Sequence, residues 1–156
     1  MRSSLSHLRH PNHPIPHYLT MSERVFVDSS AYFAFVDRSE GDRHRQALVT
    51  AGRLGREEAE LYTTNYVVAE AHALILNRIN RDDAERFLDR LYASATRIIQ
   101  ATEADQTRAR ELIHRHHDKP YTLTDAVSFA VMRRLHLKTA WSFDHHFEDM
   151  GFTRIE

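Results

Sequence analysis

Four carboxylates stand apart from the other acids of this sequence. Asp28 follows Val25-Phe26-Val27, Glu70 follows Val67-Val68-Ala69, Asp125 precedes Ala126-Val127, and Asp144 follows Trp141-Ser142-Phe143. Most other acids sit in polar runs such as 56–60 or 81–85. An unpaired carboxylate near a core is costly, and several brought together repel one another. No lysine or arginine flanks these four closely in sequence. A hard divalent cation is then the natural counter-charge. Mg²⁺ and Mn²⁺ take oxygen ligands and keep several waters, which leaves room for a phosphate. Such a cluster activates water and clamps a phosphodiester for in-line attack. Taken singly, each acid has an ordinary reading. Asp28 also suits a strand-end turn, and Asp125 the first turn of a helix, where the dipole favours its ionised form.

The elements that must position these groups follow from the apolar pattern. Residues 24–28 read as a strand that stops at an acid, with Ser29 and Ser30 as caps for a helix over 31–36. A helix is expected over 44–54 and a strand over 61–63. Thr64 or Asn65 then caps a helix whose Val67, Val68, Ala71, Leu74 and Ile75 recur at helical spacing. Residues 82–92 read as a helix and 97–100 as a brief β-branched strand. Thr102 caps a helix carrying Ala109, Leu112, Ile113 and His116 on one face, and Thr124 caps the next. Residues 139–142 and 152–155 complete the set as strands, the last at an edge after the turn at Gly151. Strands alternating with helices imply a parallel sheet covered on both faces, an α/β fold. In that class ligands bind beyond the carboxyl ends of the strands, at a switch in strand order. All four acids fall at or near such ends.

Composition narrows the chemistry further. The 156 residues suit one domain, and with no cysteine there is no disulfide scaffold, cysteine zinc site, iron–sulfur cluster or thiolate nucleophile. The longest apolar run, 31–36, is far too short to span a membrane, so a cytoplasmic protein without a membrane partner is expected. Glycines at 41, 52, 55 and 151 form no phosphate-cradling loop, which excludes a Walker or dinucleotide motif. Twenty-one basic residues offset 22 acidic ones. That balance gives no global field favouring nucleic acid, but it sums an acidic pocket with basic residues that frame it. Residues 1–21 form a leader distinct from the domain at 22–156. Its first 20 residues hold three of the four prolines and four histidines, and no acid. The leader is expected to be disordered, with Met21 as a candidate natural start.

The same four segments carry a family resemblance. Val25-Phe26-Val27-Asp28-Ser29-Ser30-Ala31, Asn65-Tyr66-Val67-Val68-Ala69-Glu70, Leu123-Thr124-Asp125-Ala126-Val127-Ser128-Phe129 and Ser142-Phe143-Asp144-His145-His146-Phe147, with Met150-Gly151-Phe152 behind, resemble the motifs of PIN-domain ribonucleases. The nearest likeness is to the VapC-type toxins of toxin–antitoxin pairs. It runs over about residues 24–155. The resemblance implies a three-layer fold with a five-stranded parallel sheet flanked by helices. It also implies Mg²⁺- or Mn²⁺-dependent hydrolysis of single-stranded RNA to 5′-phosphate and 3′-hydroxyl ends. Asp28 and Asp125 become the principal metal ligands; Glu70 and Asp144 complete the shell directly or through water. Ser30 and Thr124 match hydroxyl positions that orient carboxylates. The family also implies a small antitoxin partner and dimerisation.

The remaining chemistry-bearing residues are read more plainly. His145 and His146 follow Asp144, but neighbouring histidines point different ways, and no partner ligands are evident, so surface or capping roles are expected. Arg133, Arg134 and Lys138, and Arg115 with Lys119, flank the Asp125 and Asp144 segments and are candidate RNA phosphate contacts. Tyr121 is a candidate for base stacking, whereas Trp141, inside a strand, is expected in the core. The alternative functions are a housekeeping RNA-processing nuclease of the same fold without an antitoxin and a non-catalytic RNA-binding module. A phosphate-accepting receiver domain fits poorly, since it needs a second acid before Asp28 and a strand-end lysine near 144.

Overall fold

The structure, a computed structural model, describes residues 21–156, so residues 1–20 of the expected leader lie outside the described residues. Five strands form one sheet: β1 (Arg24–Val27), β2 (Glu60–Thr64), β3 (Arg97–Ile99), β4 (Thr139–Trp141) and β5 (Thr153–Ile155). Their order is β3-β2-β1-β4-β5, and every pairing is parallel. The helices are α1 (Ser29–Val36), α2 (Asp42–Arg56), α3 (Asn65–Arg78), α4 (Arg81–Ala93), α5 (Glu103–Arg115), α6 (Leu123–Arg134) and α7 (His146–Asp149). The chain builds outward from β1 to β3, then returns to the other side of β1 for β4 and β5. The crevice between β1 and β4 is therefore the point where strand order switches.

Strand geometry places alternate side chains on opposite faces, and here both faces are covered. Val25 and Val27 point into a cluster with Ala31 and Ala34 of α1, Ala47 and Leu54 of α2, and Trp141. Phe26 points the other way, among Ala109, Leu112, Val127, Phe129 and Phe147 from α5, α6 and α7. A third cluster joins α1, α3 and α4 through Phe33, Ala71, Ile75, Ala84 and Phe87. Trp141 is in the core as expected. Tyr121 is buried too, edge-on to Phe129 at 5.3 Å between ring centroids, so it does not offer a free face to a base.

Two expected caps move. The cap of α1 is Asp28 itself, whose carboxylate accepts the Ser30 N–H. The cap of α6 is Thr122, not Thr124. Thr122 Oγ1 accepts the Asp125 N–H at 3.1 Å, and Asp125 Oδ2 accepts the Thr122 N–H at 3.0 Å. This reciprocal box needs an acid three positions after the hydroxyl, which Thr122 has and Thr124 lacks. Helix α7 and a 3-10 turn at Arg38–Glu40 were not foreseen, because such short elements show no period in the sequence. Helix α7 is held by Phe147, fully buried against Phe26 and Phe129. Burying such a ring stabilises by roughly 1.5–3 kcal/mol, enough to hold one turn of helix in place.

Candidate active site

The four acids meet at the crevice between β1 and β4. Asp28 ends β1, and its N–H continues the ladder by donating to the Trp141 carbonyl at 3.0 Å. Asp144 lies just past β4, Asp125 in the first turn of α6, and Glu70 on α3. Asp28 is only 3% exposed and Asp125 8%. Glu70 and Asp144 are half-buried at the rim.

Two serines orient Asp28. Ser30 Oγ donates to Asp28 Oδ2 at 2.7 Å, and Ser142 Oγ donates to the same oxygen at 2.9 Å. Each hydroxyl is itself held from behind: Ser30 Oγ accepts the Phe143 N–H, and Ser142 Oγ accepts the Asp144 N–H, both at 2.9 Å. Oδ2 of Asp28 is thus fully engaged, and Oδ1 has no protein donor among the described residues. Ser30, one of the two hydroxyls the resemblance singled out, thus contacts Asp28 directly. Ser142 does so too and was passed over, because in sequence it reads only as the end of a strand.

Burial raises the pKa of Asp28, the Ser30 and Ser142 hydroxyls oppose that rise, and the charge of Asp125 adds to it. Glu70 is raised by burial first, then by the charges of Asp28 and Asp125; the Ser29 and Thr124 hydroxyls beside it offset part of this. Thr124, in the first turn of α6, thus lies beside Glu70. Burial also raises Asp125, against the N–H of Thr122 and with the charge of Asp144. The three acids repel one another, and no lysine or arginine pairs with any of the four among the described residues. Glu70 Oε2 is buried with no hydrogen-bond partner among the described residues. A set of oxygen donors that repel and have no lysine or arginine partner among the described residues is what a divalent cation fits.

The tightest candidate ligand group differs from the expected one. Ligand atoms of Asp125, Asp144 and His146 lie within 4.8 Å of one another. Asp28 and Glu70 adjoin this group through their coupling to Asp125 rather than joining it. His146, expected at the surface or in a cap, is 14% exposed and faces Asp125 and Asp144, whereas His145 is 71% exposed. Two features of the sequence could have found it: only one of the two neighbours can face the site, and Phe147 beside it must enter the core.

The basic candidates separate as well. Lys138 precedes β4 and Asp144 follows it, so they occupy opposite ends of one strand. Arg133 and Arg134 close α6, roughly 12 Å along the helix from Asp125 at 1.5 Å per residue. The Arg134 guanidinium is committed to Asp105, at 2.9 and 2.8 Å. None of the three flanks the acids as sequence proximity suggested. Arg115 fares better. It ends α5 beside His116, which contacts Tyr121, which in turn contacts His146. With Arg108, Arg133 and Arg134 it lines a cavity of about 360 Å³ between α5 and α6.

Residues 25–153 match the PIN domain family. Over 132 residues the chain is 30% identical to the 23S rRNA-specific endonuclease VapC20 of Mycobacterium tuberculosis, covering 84% of this chain and 97% of that protein. The crystal structure of that organism's VapC20, described as a Sarcin-Ricin loop cleaving toxin, aligns with a TM-score of 0.74 and 28% identity over 83% of this chain and 96% of that one. FitAcB from Neisseria gonorrhoeae shares the fold, with a TM-score of 0.61 at 17% identity, covering 85% of this chain and 96% of that one.

Proposed function

Because this chain belongs to the PIN-domain family, we propose that it is a divalent-metal-dependent endoribonuclease, the toxin of a toxin–antitoxin pair. The observation that supports this reading most is the set of four acids, none paired with a lysine or arginine among the described residues, at the β1–β4 switch point. Asp28, Asp125 and Asp144 would hold Mg²⁺ or Mn²⁺, with Glu70 completing the shell directly or through water. When bound, the cation supplies charge neutralisation at the phosphate and makes water more acidic.

The chain's own groups do the rest. The two serines fix Asp28 in one orientation, and the Thr122 box fixes Asp125. The Glu70 carboxylate takes the proton of the attacking water. Its raised pKa suits it to that task, because a base is most effective when its pKa approaches the working pH. Attack on phosphorus then releases the 3′-oxygen and leaves a 5′-phosphate. Arg115, at the end of α5 next to His116, is a candidate contact for a flanking phosphate, and phosphate contacts of this kind add affinity rather than sequence reading.

The substrate class is ribosomal RNA, as named for the VapC20 relative. The partner is a small antitoxin protein, and the working unit a homodimer. Exposed apolar side chains on α2 (Leu48, Val49) and on α3 and α4 (Leu76, Tyr92) leave surface for both contacts. The test is incubation of the full chain with 23S rRNA and with an unstructured RNA, with Mg²⁺ or Mn²⁺ and with EDTA. Cleavage that needs the ion, leaves 5′-phosphate ends and falls at least about 100-fold in Asp125→Asn supports the reading. Equal cleavage in EDTA or in that variant overturns it. Co-purification with the product of an adjacent short gene, with loss of activity, tests the antitoxin; a housekeeping enzyme would show neither.

A further inference from the structure

Resting on the metal-site reading above, we propose that His146 is a nitrogen ligand, through Nδ1, that tunes the site toward Mn²⁺-like transition ions over Mg²⁺. His146 Nδ1 lies 3.2 Å from Asp144 Oδ2 and 3.6 Å from Asp125 Oδ2. It is nevertheless buried with no hydrogen-bond partner among the described residues. The ligand atoms of His146, Asp125 and Asp144 all lie within 4.8 Å of one another, close enough to share one ion, and a shared ion would give the unpartnered nitrogen its partner.

The ring is held for this role. Its own backbone N–H donates to Asp144 Oδ1 at 3.0 Å, tying the two groups together. The edge of Tyr121 packs against it at 5.0 Å between ring centroids, and Phe147, next in the chain, anchors the turn in the core. Four carboxylates alone suit Mg²⁺, Ca²⁺ and Mn²⁺ alike, whereas imidazole is a donor for the transition series. A neutral imidazole nitrogen in place of a water oxygen therefore shifts preference without changing the charge of the donor set.

Mn²⁺ alone is the probe, with the full chain and no RNA. Pulsed electron paramagnetic resonance should show ¹⁴N coupling to bound Mn²⁺ in the unmodified protein and in His145→Gln, and none in His146→Gln. Titration calorimetry should show Mn²⁺ affinity reduced about 10–100-fold in His146→Gln, with Mg²⁺ affinity changed far less. Mn²⁺ bound without ¹⁴N coupling, or coupling that persists in His146→Gln, overturns the proposal and leaves the carboxylate site standing. No Mn²⁺ binding by the unmodified protein overturns both. If His146→Gln does not fold, the coupling measured in the unmodified protein and its survival in His145→Gln still decide the question.

Discussion

Asp105 and Asp125 hold the same position in two capping boxes, and only Asp105 meets an arginine. Thr102 and Asp105 exchange hydrogen bonds at the start of α5 as Thr122 and Asp125 do at the start of α6. Asp105 is fully buried and gripped through two bonds by Arg134. Burial would raise its pKa, but the Arg134 guanidinium and the Thr102 donors win and hold it below the usual carboxylate range. Asp125 has the same local geometry and no guanidinium, and its pKa rises. One motif therefore serves as structure in one helix and as chemistry in the next.

Removing Arg134 should damage stability and leave the chemistry alone. Arg134→Met strands a buried charge at Asp105 and should cost about 3 kcal/mol in urea unfolding, with kcat per folded molecule unchanged. The pair's contribution has a defined pH dependence. Asp105 has a lowered folded pKa, so its contribution is fully present above the ordinary value of 3.8 and is lost as pH falls through the lowered one. Arg134→Met should therefore lose its deficit in strong acid. A constant deficit at all pH values would contradict the assignment.

Ser142 is a positioning residue. Ser142→Ala removes one of the two hydroxyl donors to Asp28 Oδ2 and should weaken Mg²⁺ binding about 10–100-fold by calorimetry. Raising Mg²⁺ should restore most of the activity, and Ser142→Thr should restore the affinity. A loss of kcat at saturating Mg²⁺ with unchanged affinity would show that the hydroxyl acts elsewhere.

Glu70 should destabilise the metal-free protein at neutral pH. Its folded pKa lies above the ordinary 4.5, so the folded state keeps its proton longer than the unfolded one. The stability linked to that proton is complete below pH 4.5 and is lost as pH rises through the raised value. In EDTA, Glu70→Gln should melt a few degrees above the unmodified chain at pH 8, and the gap should close toward pH 4. With the charge gone, the rise in melting temperature on adding Mg²⁺ should shrink. A melting temperature for Glu70→Gln below that of the unmodified chain at pH 8 would refute this.

Arg115 and Lys138 should respond differently to salt. In binding of single-stranded RNA by the inactive Asp125→Asn protein, Arg115→Ala should lower the salt slope by about 0.7, the value for one lost phosphate contact. Lys138→Ala, at the far end of β4, should leave the slope unchanged. The reverse ranking would move the RNA path to the other end of the sheet.

The fold was legible because its signals are local and repeated. Val25-Phe26-Val27 ending at Asp28, or the spaced apolar residues of α3, state both an element and its end. The acids were legible because each interrupts apolar sequence, where an unpaired charge needs a reason. Arg133 and Arg134 lie farther from the acids than their place in the sequence suggests, because nearness in sequence is not nearness in space: one helix carries Asp125 and Arg134 to its two ends. His146 was missed for the opposite reason. Its role depends on which of two adjacent rings turns inward, and Phe147 and Tyr121 decide that through contacts no sequence period records. Thr122 was missed because Thr124 sits nearer the acid, although the box requires a spacing of three.

The Thr122–Asp125 box joins site geometry to the fraying of a helix end. The carboxylate proposed to face the cation also closes the first turn of α6. Opening that turn, a small local unfolding event, withdraws Asp125 from the site. The exchange of amide hydrogens at residues 123–126 with solvent thus reports how often the site falls apart. A bound ion, by favouring the closed turn, slows that exchange in proportion to its affinity, while the matching turn of α5, already clamped by Arg134, exchanges at the same slow rate with or without it.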